Sequence, residues 1–208
     1  TWPPTFRLNV LAASTLVTQA LISYKKDHDG LNFQLFQNSQ CEDADITVFT
    51  RENFQIPAGN KDRYELFKER IFLAVPADSP YASEESVRLK DFAHQDFISL
   101  SGSRSIRTIC DRYCMQAGFV PHIIYESDSP DTVKNLIASG LGVGFWPHYT
   151  WSTDSMEQIR LMPIAEPTCQ RAIILQLHRH ARVQEAVCSF YAFLNRYLRQ
   201  LKAAEKTG

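Results

Sequence analysis

Three short stretches of this 208-residue chain put hydroxyl side chains where an apolar helical stripe begins. They are Ser14-Thr15, Ser101-Gly102-Ser103-Arg104-Ser105, and Ser127-Asp128-Ser129 with Pro130-Asp131 behind it. The first turn of a helix leaves backbone N–H groups without internal partners, and about half a positive charge collects there. Hydroxyls beside such N–H groups suit a small anion, a carboxylate above all, and Arg104 adds a guanidinium fork for the same group. Taken singly, each hydroxyl serves equally well as a helix cap. Taken together, the three point to a ligand.

Other chemistry is weaker by residue type and spacing. Ser14, His148 and Asp128 have the types of a hydrolytic triad, but no nucleophile elbow or spaced acid pair supports them, so no enzyme is expected. His178-Arg179-His180 has no acidic or cysteine partner close in sequence and reads as a solvated turn, so no metal is expected. Gly140-Leu141-Gly142-Val143-Gly144 leaves a helix and enters a strand, the reverse of a dinucleotide fingerprint. Its glycines end the helix and allow close packing, and no cofactor is implied. Cys41, Cys110, Cys114, Cys169 and Cys188 are odd in number and scattered, which suits buried packing in a reducing compartment.

The elements that would hold the three turns follow from periodicity. Phe6 to Ala13 alternates Leu8, Val10 and Ala12 against Arg7 and Asn9, a strand; Val17, Ala20, Leu21 and Tyr24 then mark a helix. Phe33 to Phe36, Ile46 to Phe49 and Ile71 to Val75 read as strands. A second strand-turn-helix unit runs through Asp96 to Leu100 and the stripe Ile106, Ile109, Cys110, Tyr113, stopped by Gly118. A third joins His122 to Glu126 with a helix begun by Ser129-Pro130-Asp131 and buried through Val133, Leu136 and Ile137. Gly142 to Trp146 and Ala172 to Leu177 are further strands, and a long helix spans about Arg182 to Leu201.

Composition narrows the function classes. Hydrophobic residues make up 44% and charged residues 22%, ordinary for a globular protein, and no apolar run approaches the roughly 20 residues of a membrane span. The formal net charge is −1 with no basic run longer than Lys25-Lys26, so this chain by itself is not expected to hold nucleic acid. Thr1-Trp2-Pro3-Pro4 shows neither a signal-peptide pattern nor an initiator Met, so the chain is expected to be a fragment of a cytoplasmic protein.

Several motifs, in order, carry a resemblance. Phe72-Leu73-Ala74-Val75-Pro76-Ala77-Asp78-Ser79-Pro80-Tyr81-Ala82 precedes Val87-Arg88-Leu89-Lys90-Asp91-Phe92. Later come Arg107, Asp111, Cys114 and Ala117-Gly118-Phe119-Val120-Pro121, and then Val133 with Leu136-Ile137-Ala138-Ser139-Gly140-Leu141-Gly142-Val143-Gly144 and Pro147. Each is weak alone; their order and spacing resemble the effector-binding domain of LysR-type transcriptional regulators over nearly the whole chain.

The resemblance implies an α/β fold of two Rossmann-like lobes joined by two crossover strands, like type 2 periplasmic binding proteins. Residues 1–75 with 165–208 would form the first lobe and residues 76–164 the second, with crossings near 74–77 and 162–167. A small-molecule effector would sit in the cleft between lobes, and the three turns would face it. Thr50 and Phe145-Trp146 stand at strand ends that would also line it, or else simply pack. Homodimers are implied, with pairing into tetramers open. DNA would be contacted only through a winged helix-turn-helix preceding Thr1. One departure is plain: between Gln40 and Asp45 the family has a full helix, and here four residues stand. A peroxide-sensing cysteine pair would align with Cys114 and with position 105, which is Ser105, and a hydroxyl cannot replace a thiolate in that step. The rival reading is a free-standing solute-binding protein of a transport system, separable by what is encoded before Thr1.

Overall fold

The structure is a computed structural model that describes residues 3–102, 104–151 and 156–205, with side chains described to residue 202. In chain order the first half comprises β1 (Thr5–Val10), α1 (Ser14–Asp27), β2 (Asn32–Phe36), β3 (Ile46–Arg51), β4 (Arg63–Pro76), β5 (Val87–Arg88) and β6 (Asp96–Leu100). There follow α2 (Ser105–Gln116), β7 (His122–Ser127), α3 (Pro130–Ala138), β8 (Gly144–Pro147), β9 (Ile159–Met162), β10 (Ile164–Glu166), β11 (Gln170–Leu177) and α4 (Glu185–Glu205). They form two compact units, Thr1–Lys68 with Ala172–Gly208, and Glu69–Arg171. The chain passes from one unit to the other along β4 and again along β11.

In the first unit the strand order is β2-β1-β3-β11-β4, with β1 parallel to both neighbours and β11 antiparallel to β3. Alternate residues of a strand face opposite sides. Phe6, Leu8 and Val10 are accordingly buried with Leu16, Val17 and Ala20 of α1 and Phe190 and Leu194 of α4. Phe190 stacks edge-on or tilted against Tyr24 and Phe33 at 5.2 and 5.1 Å, worth about 1 kcal/mol per pair beyond area burial.

The opposite face of that sheet carries polar pairs at the end where β1, β3 and β11 meet. Arg7 pairs with Asp43, Thr47 Oγ1 meets His178 Nε2 at 2.7 Å, and Gln176 Nε2 donates to Asp62 at 2.7 Å. The absence of a helix between β2 and β3 explains it. Parallel strands usually need a dozen or more residues to connect. Here the register places Phe36 beside Asn9 and Ile46 beside Leu8, so the chain need only cross β1 and step back one residue. Buried Asn9 fastens the crossing: its Nδ2 donates to Phe36 O and Ser39 O, and its Oδ1 accepts from Cys41 N, all at 3.0 Å. The helix that the resemblance leads one to expect is replaced by turns, and the sheet face is written in polar residues to match.

In the second unit the later part of β4 pairs antiparallel with β8 and β9, β6 pairs parallel with β7, and β5 with β10. Its core gathers Ile71, Leu73, Val75, Phe97, Ile109 and Trp146, with α2 supplying Cys110 and Cys114 and α3 supplying Val133 and Ile137. The Gly142–Gly144 run is close-packed, as its sequence suggests. A Cβ on Gly142 would stand 2.9 Å from Asp96 O, and one on Gly144 would run into Ile137 Cδ1.

Three boundaries differ from the periodicity. β1 ends at Val10 and not at Ala13, because Ala13 adopts the left-handed region at φ 58°. β4 is fourteen residues long and begins at Arg63, its polar first half lying on the mixed sheet of the first unit. The last helix begins at Glu185, after a 3₁₀ turn over Arg179–Val183.

Candidate functional site

The three expected helix starts turn out to differ. α3 is fully provided for: Ser129 Oγ accepts from Thr132 N at 3.3 Å, Pro130 opens the helix, and Asp131 sits in the first turn. Ser127 Oγ also accepts from Ser129 N at 3.1 Å. The Ser129 hydroxyl caps the helix, and the Ser127 hydroxyl closes the turn that precedes it.

α1 and α2 are not provided for in this way. The cap position of α1 is Ala13, not Ser14 or Thr15, so the expected hydroxyl cap of α1 is corrected: it has no side-chain cap and no acid in its first turn. The left-handed backbone at Ala13 takes Ser14 one position into the helix, where it no longer reaches back to the N2 and N3 amides. At α2 the cap position is Arg104, which makes no side-chain hydrogen bond to the helix end, and the first turn again holds no acid.

Arg104 is instead a clip between two turns. Its Nε and Nη2 both donate to the Asp128 carbonyl, at 3.2 and 3.0 Å, while Ser101 N donates to Ser127 O at 2.9 Å. The turn leading into α2 and the turn leading into α3 are thereby held side by side at the ends of β6 and β7. Within the second unit the structure thus brings together Ser101, Gly102, Arg104, Ser105, Ser127, Asp128 and Ser129; Ser103 lies outside the described residues. In the first unit Ser14 and Thr15 follow the end of β1, and Thr50 stands near the end of the neighbouring strand β3, whose Val48 O accepts from Leu11 N at 2.8 Å. Thr50 is half-buried opposite Ile173 of β11.

Phe145 is half-buried, and Trp146 is fully buried in the core of the second unit. The indole Nε1 of Trp146 has no acceptor among the described residues, and Trp151 stands edge-on to it at 5.1 Å.

Two arrangements escaped the sequence. Arg107 donates to Asp111 at 2.7 Å, to Leu100 O at 2.8 Å and to Glu126 at 2.5 Å. Burial works against its charge, but the bonds to Glu126 and Asp111 outweigh that and raise its pKa. The second is a buried ion pair. Glu69 accepts from Arg171 Nε at 2.7 Å, and from Thr150 N and Oγ1 at 2.7 and 2.5 Å; Arg171 Nη2 also donates to Thr150 Oγ1 at 3.2 Å. Glu69 and Arg171 stand on β4 and β11, a hundred residues apart, so no local pattern announces them.

Burial pushes the thiols of Cys114 and Cys169 up to about 12, and it also raises that of Cys110 well above its ordinary value. Thiols held protonated are poor nucleophiles. Among the described residues no helix is long and apolar enough to cross a membrane, and no cluster of three potential metal ligands occurs.

Comparison with known proteins fits this geometry. A family profile described as the LysR substrate binding domain matches residues 4–199. The transcriptional dual regulator GltC of Bacillus subtilis is 24% identical over 200 residues, covering 91% of this chain and 65% of GltC. This chain therefore spans less than two thirds of that relative. Among solved structures, the Synechocystis PCC6803 CcmR regulatory domain in complex with 2-PG superposes with a TM-score of 0.76 at 15% identity, over 91% of this chain and 95% of that one. The effector binding domain of QuiR in complex with shikimate gives 0.72 at 17% identity, over 95% and 98%. The fold is thus that of LysR effector-binding domains, the type 2 periplasmic-binding-protein-like fold. By its match to the substrate binding domain over residues 4–199, this chain belongs to the LysR family.

Proposed function

We propose that this chain is the effector-sensing part of a LysR-family transcription regulator and that its effector is a small anion, most simply a carboxylate. The two compact units are its lobes. The candidate anion contacts are, in the first unit, Ser14 and Thr15 at the start of α1 with Thr50 of β3, and, in the second, Ser101, Gly102, Arg104 and Ser105 before and at the start of α2 with Phe145, where Ser127–Ser129 hold the α2 turn in place. The observation that carries this reading is the contrast between helix starts. α3 has a serine at its cap position and an acid in its first turn, whereas the cap residues of α1 and α2, Ala13 and Arg104, make no side-chain cap hydrogen bond and no acid stands in either first turn. A helix start left without its own anion is an electrostatic vacancy that a carboxylate fills. Shikimate and 2-PG, which stand in the QuiR and CcmR domains, are small molecules of the right size class.

Regulation would follow from linkage: an effector that prefers one arrangement of a cytoplasmic homodimer shifts the population toward it, and a DNA-binding segment elsewhere in the protein reads the change. Catalysis has no part in this reading. The test is thermal unfolding with a panel of small carboxylates and phosphorylated acids. A binder at a hundred times its dissociation constant adds about 2.7 kcal/mol of stability, visible as a rise in Tm of several degrees. A panel that leaves Tm unmoved at millimolar concentration removes the anion reading.

A further inference from the structure

The chain passes from the first unit to the second between Lys68 and Glu69, and back between Arg171 and Ala172. The buried ion pair therefore stands on the two crossings themselves. Ile71 N donates to Cys169 O at 2.9 Å, two residues inward from each partner, so Glu69 and Arg171 face each other from neighbouring strands. The turn after β8 closes over them. Tyr149 N, Thr150 N and the Thr150 hydroxyl all donate to Glu69 Oε2, and Thr150 Oγ1 accepts from Arg171 Nη2. His148 N, in the same turn, donates to Arg70 O at 3.0 Å.

Helix α2 holds the pair of crossings from another direction. The hydroxyl of half-buried Tyr113 donates to Gln170 O at 2.8 Å and accepts from Gln170 N at 3.1 Å. One peptide unit separates those bonds from Arg171. All of these residues belong to the second unit. Two physical features make such a network open as a whole or not at all. Parting Glu69 from Arg171 would strand a buried charge, which costs far more than losing one ordinary hydrogen bond. The guanidinium is a rigid planar fork, and the peptide joining Gln170 to Arg171 is planar as well. The strand therefore cannot shift at Gln170 and stay fixed at Arg171.

We propose that Glu69, Arg171, Thr150 and Tyr113 form a clasp that binds α2 and the turn after β8 to both crossings as one cooperative body. A displacement of α2 is then delivered to the first unit through β4 and β11 together. This signalling role rests on the effector reading above, whereas the clasp is tested with no effector present, so a failed clasp leaves that reading standing.

The experiment is native-state hydrogen exchange of this chain followed by NMR, in the regime where the rate reports the opening equilibrium. The amides of Ile71, His148, Thr150 and Gln170 should exchange with one shared opening free energy. Tyr113→Phe removes only the two bonds at Gln170, yet exchange at His148 and Thr150 should quicken about fivefold, the worth of one ordinary hydrogen bond in that equilibrium. The amides of Ile98 and Val143, which donate to Val143 O and Asp96 O away from the clasp, should keep their rates. Coupling is reciprocal, so Thr150→Val should in turn quicken exchange at Gln170, whose own bonds it does not touch. Acceleration confined to Gln170 in Tyr113→Phe would show independent bonds and overturn the clasp. An equal acceleration at Ile98 and Val143 would show a general loosening of the unit and overturn it as well.

Discussion

At the scale of single residues, the most consequential group is one the ligand never needs to touch. Glu69 is 0% exposed and Arg171 4%, and each would be intolerable in the core without the other. Taking two such charges from water costs several kcal/mol apiece, and only close, fully hydrogen-bonded geometry offsets that. The geometry here is of that kind, since Thr150 donates its hydroxyl proton to Glu69 and accepts from Arg171 on the same oxygen. Glu69→Gln leaves the guanidinium buried with half its partner, and about 3–5 kcal/mol of stability should be lost in urea unfolding. The double variant Glu69→Met with Arg171→Met removes both charges and should be less destabilised than Glu69→Gln alone. A double variant as unstable as the sum of its single changes would mean that the two side chains do not couple, and would overturn the reading of mutual dependence. Gly142 is the second such residue. The atom its Cβ would meet is the backbone oxygen of Asp96, which cannot swing aside as a side chain can. Gly142→Ala should cost about 1–3 kcal/mol, as overpacking does, and the loss will appear as a lower denaturation midpoint at unchanged slope.

At the scale of elements, the helix starts separate capping from binding. Ser129→Ala removes a cap observed in place and should cost about 1 kcal/mol without altering affinity for a carboxylate. Ser14→Ala removes no cap, so unfolding should change by less than about 0.5 kcal/mol, in the range of uneventful surface changes. Its effect should fall on binding instead, read as a weaker Tm response to the same acid. The sequence could foretell α3, because its cap, proline and acid are consecutive, and each acts on the next few amides. It could not foretell the cap of α1, because Ser14-Thr15 reads equally as cap or first turn, and the choice is made by the left-handed Ala13. The alternation of Leu8 and Val10 against Arg7 and Asn9 was legible from the start as a strand buried on one face. A parallel strand sandwiched by helices would instead be apolar on both faces, so that alternation and the short Gln40–Asp45 link describe one fact. The two- to four-residue strands β5, β9 and β10 left no period to read. Arg107 was legible as part of a motif, but its acceptors Glu126 and Leu100 O were not, because they are brought to it only when β6, β7 and α2 meet.

For the whole molecule, the formal charge of −1 means that acid titration has little overall repulsion to relieve near neutrality, so pH dependence should come from particular groups. The polar face of the first unit supplies them. His178 is half-buried between Thr47 and Asp62, with the ring of His180 stacked 5.9 Å away and His180 in turn 3.5 Å from Asp45. Burial lowers the pKa of His178, and neighbouring His180 lowers it further, against the pull of Asp62 and Asp45. For Asp62 burial acts upward, but the bonds from Gln176 and the Arg179 amide together with nearby His178 outweigh it and bring the value down. The signs then follow. The unfolded chain protonates His178 at about 6.5, before the folded chain does. Stability contributed by the neutral ring is therefore complete above pH 6.5 and declines as pH falls from there toward the lower folded value. Asp62 contributes stability above its unfolded pKa near 3.8, and this is lost as pH falls through the lower folded value. Thermal unfolding from pH 8 to pH 3 should thus show a shallow decline beginning near 6.5 and a steeper one below 4. His178→Gln keeps a donor toward Asp62 without a titrating ring, and it should flatten the first decline while leaving the second. A first decline that persists in His178→Gln would overturn the assignment of that titration to His178.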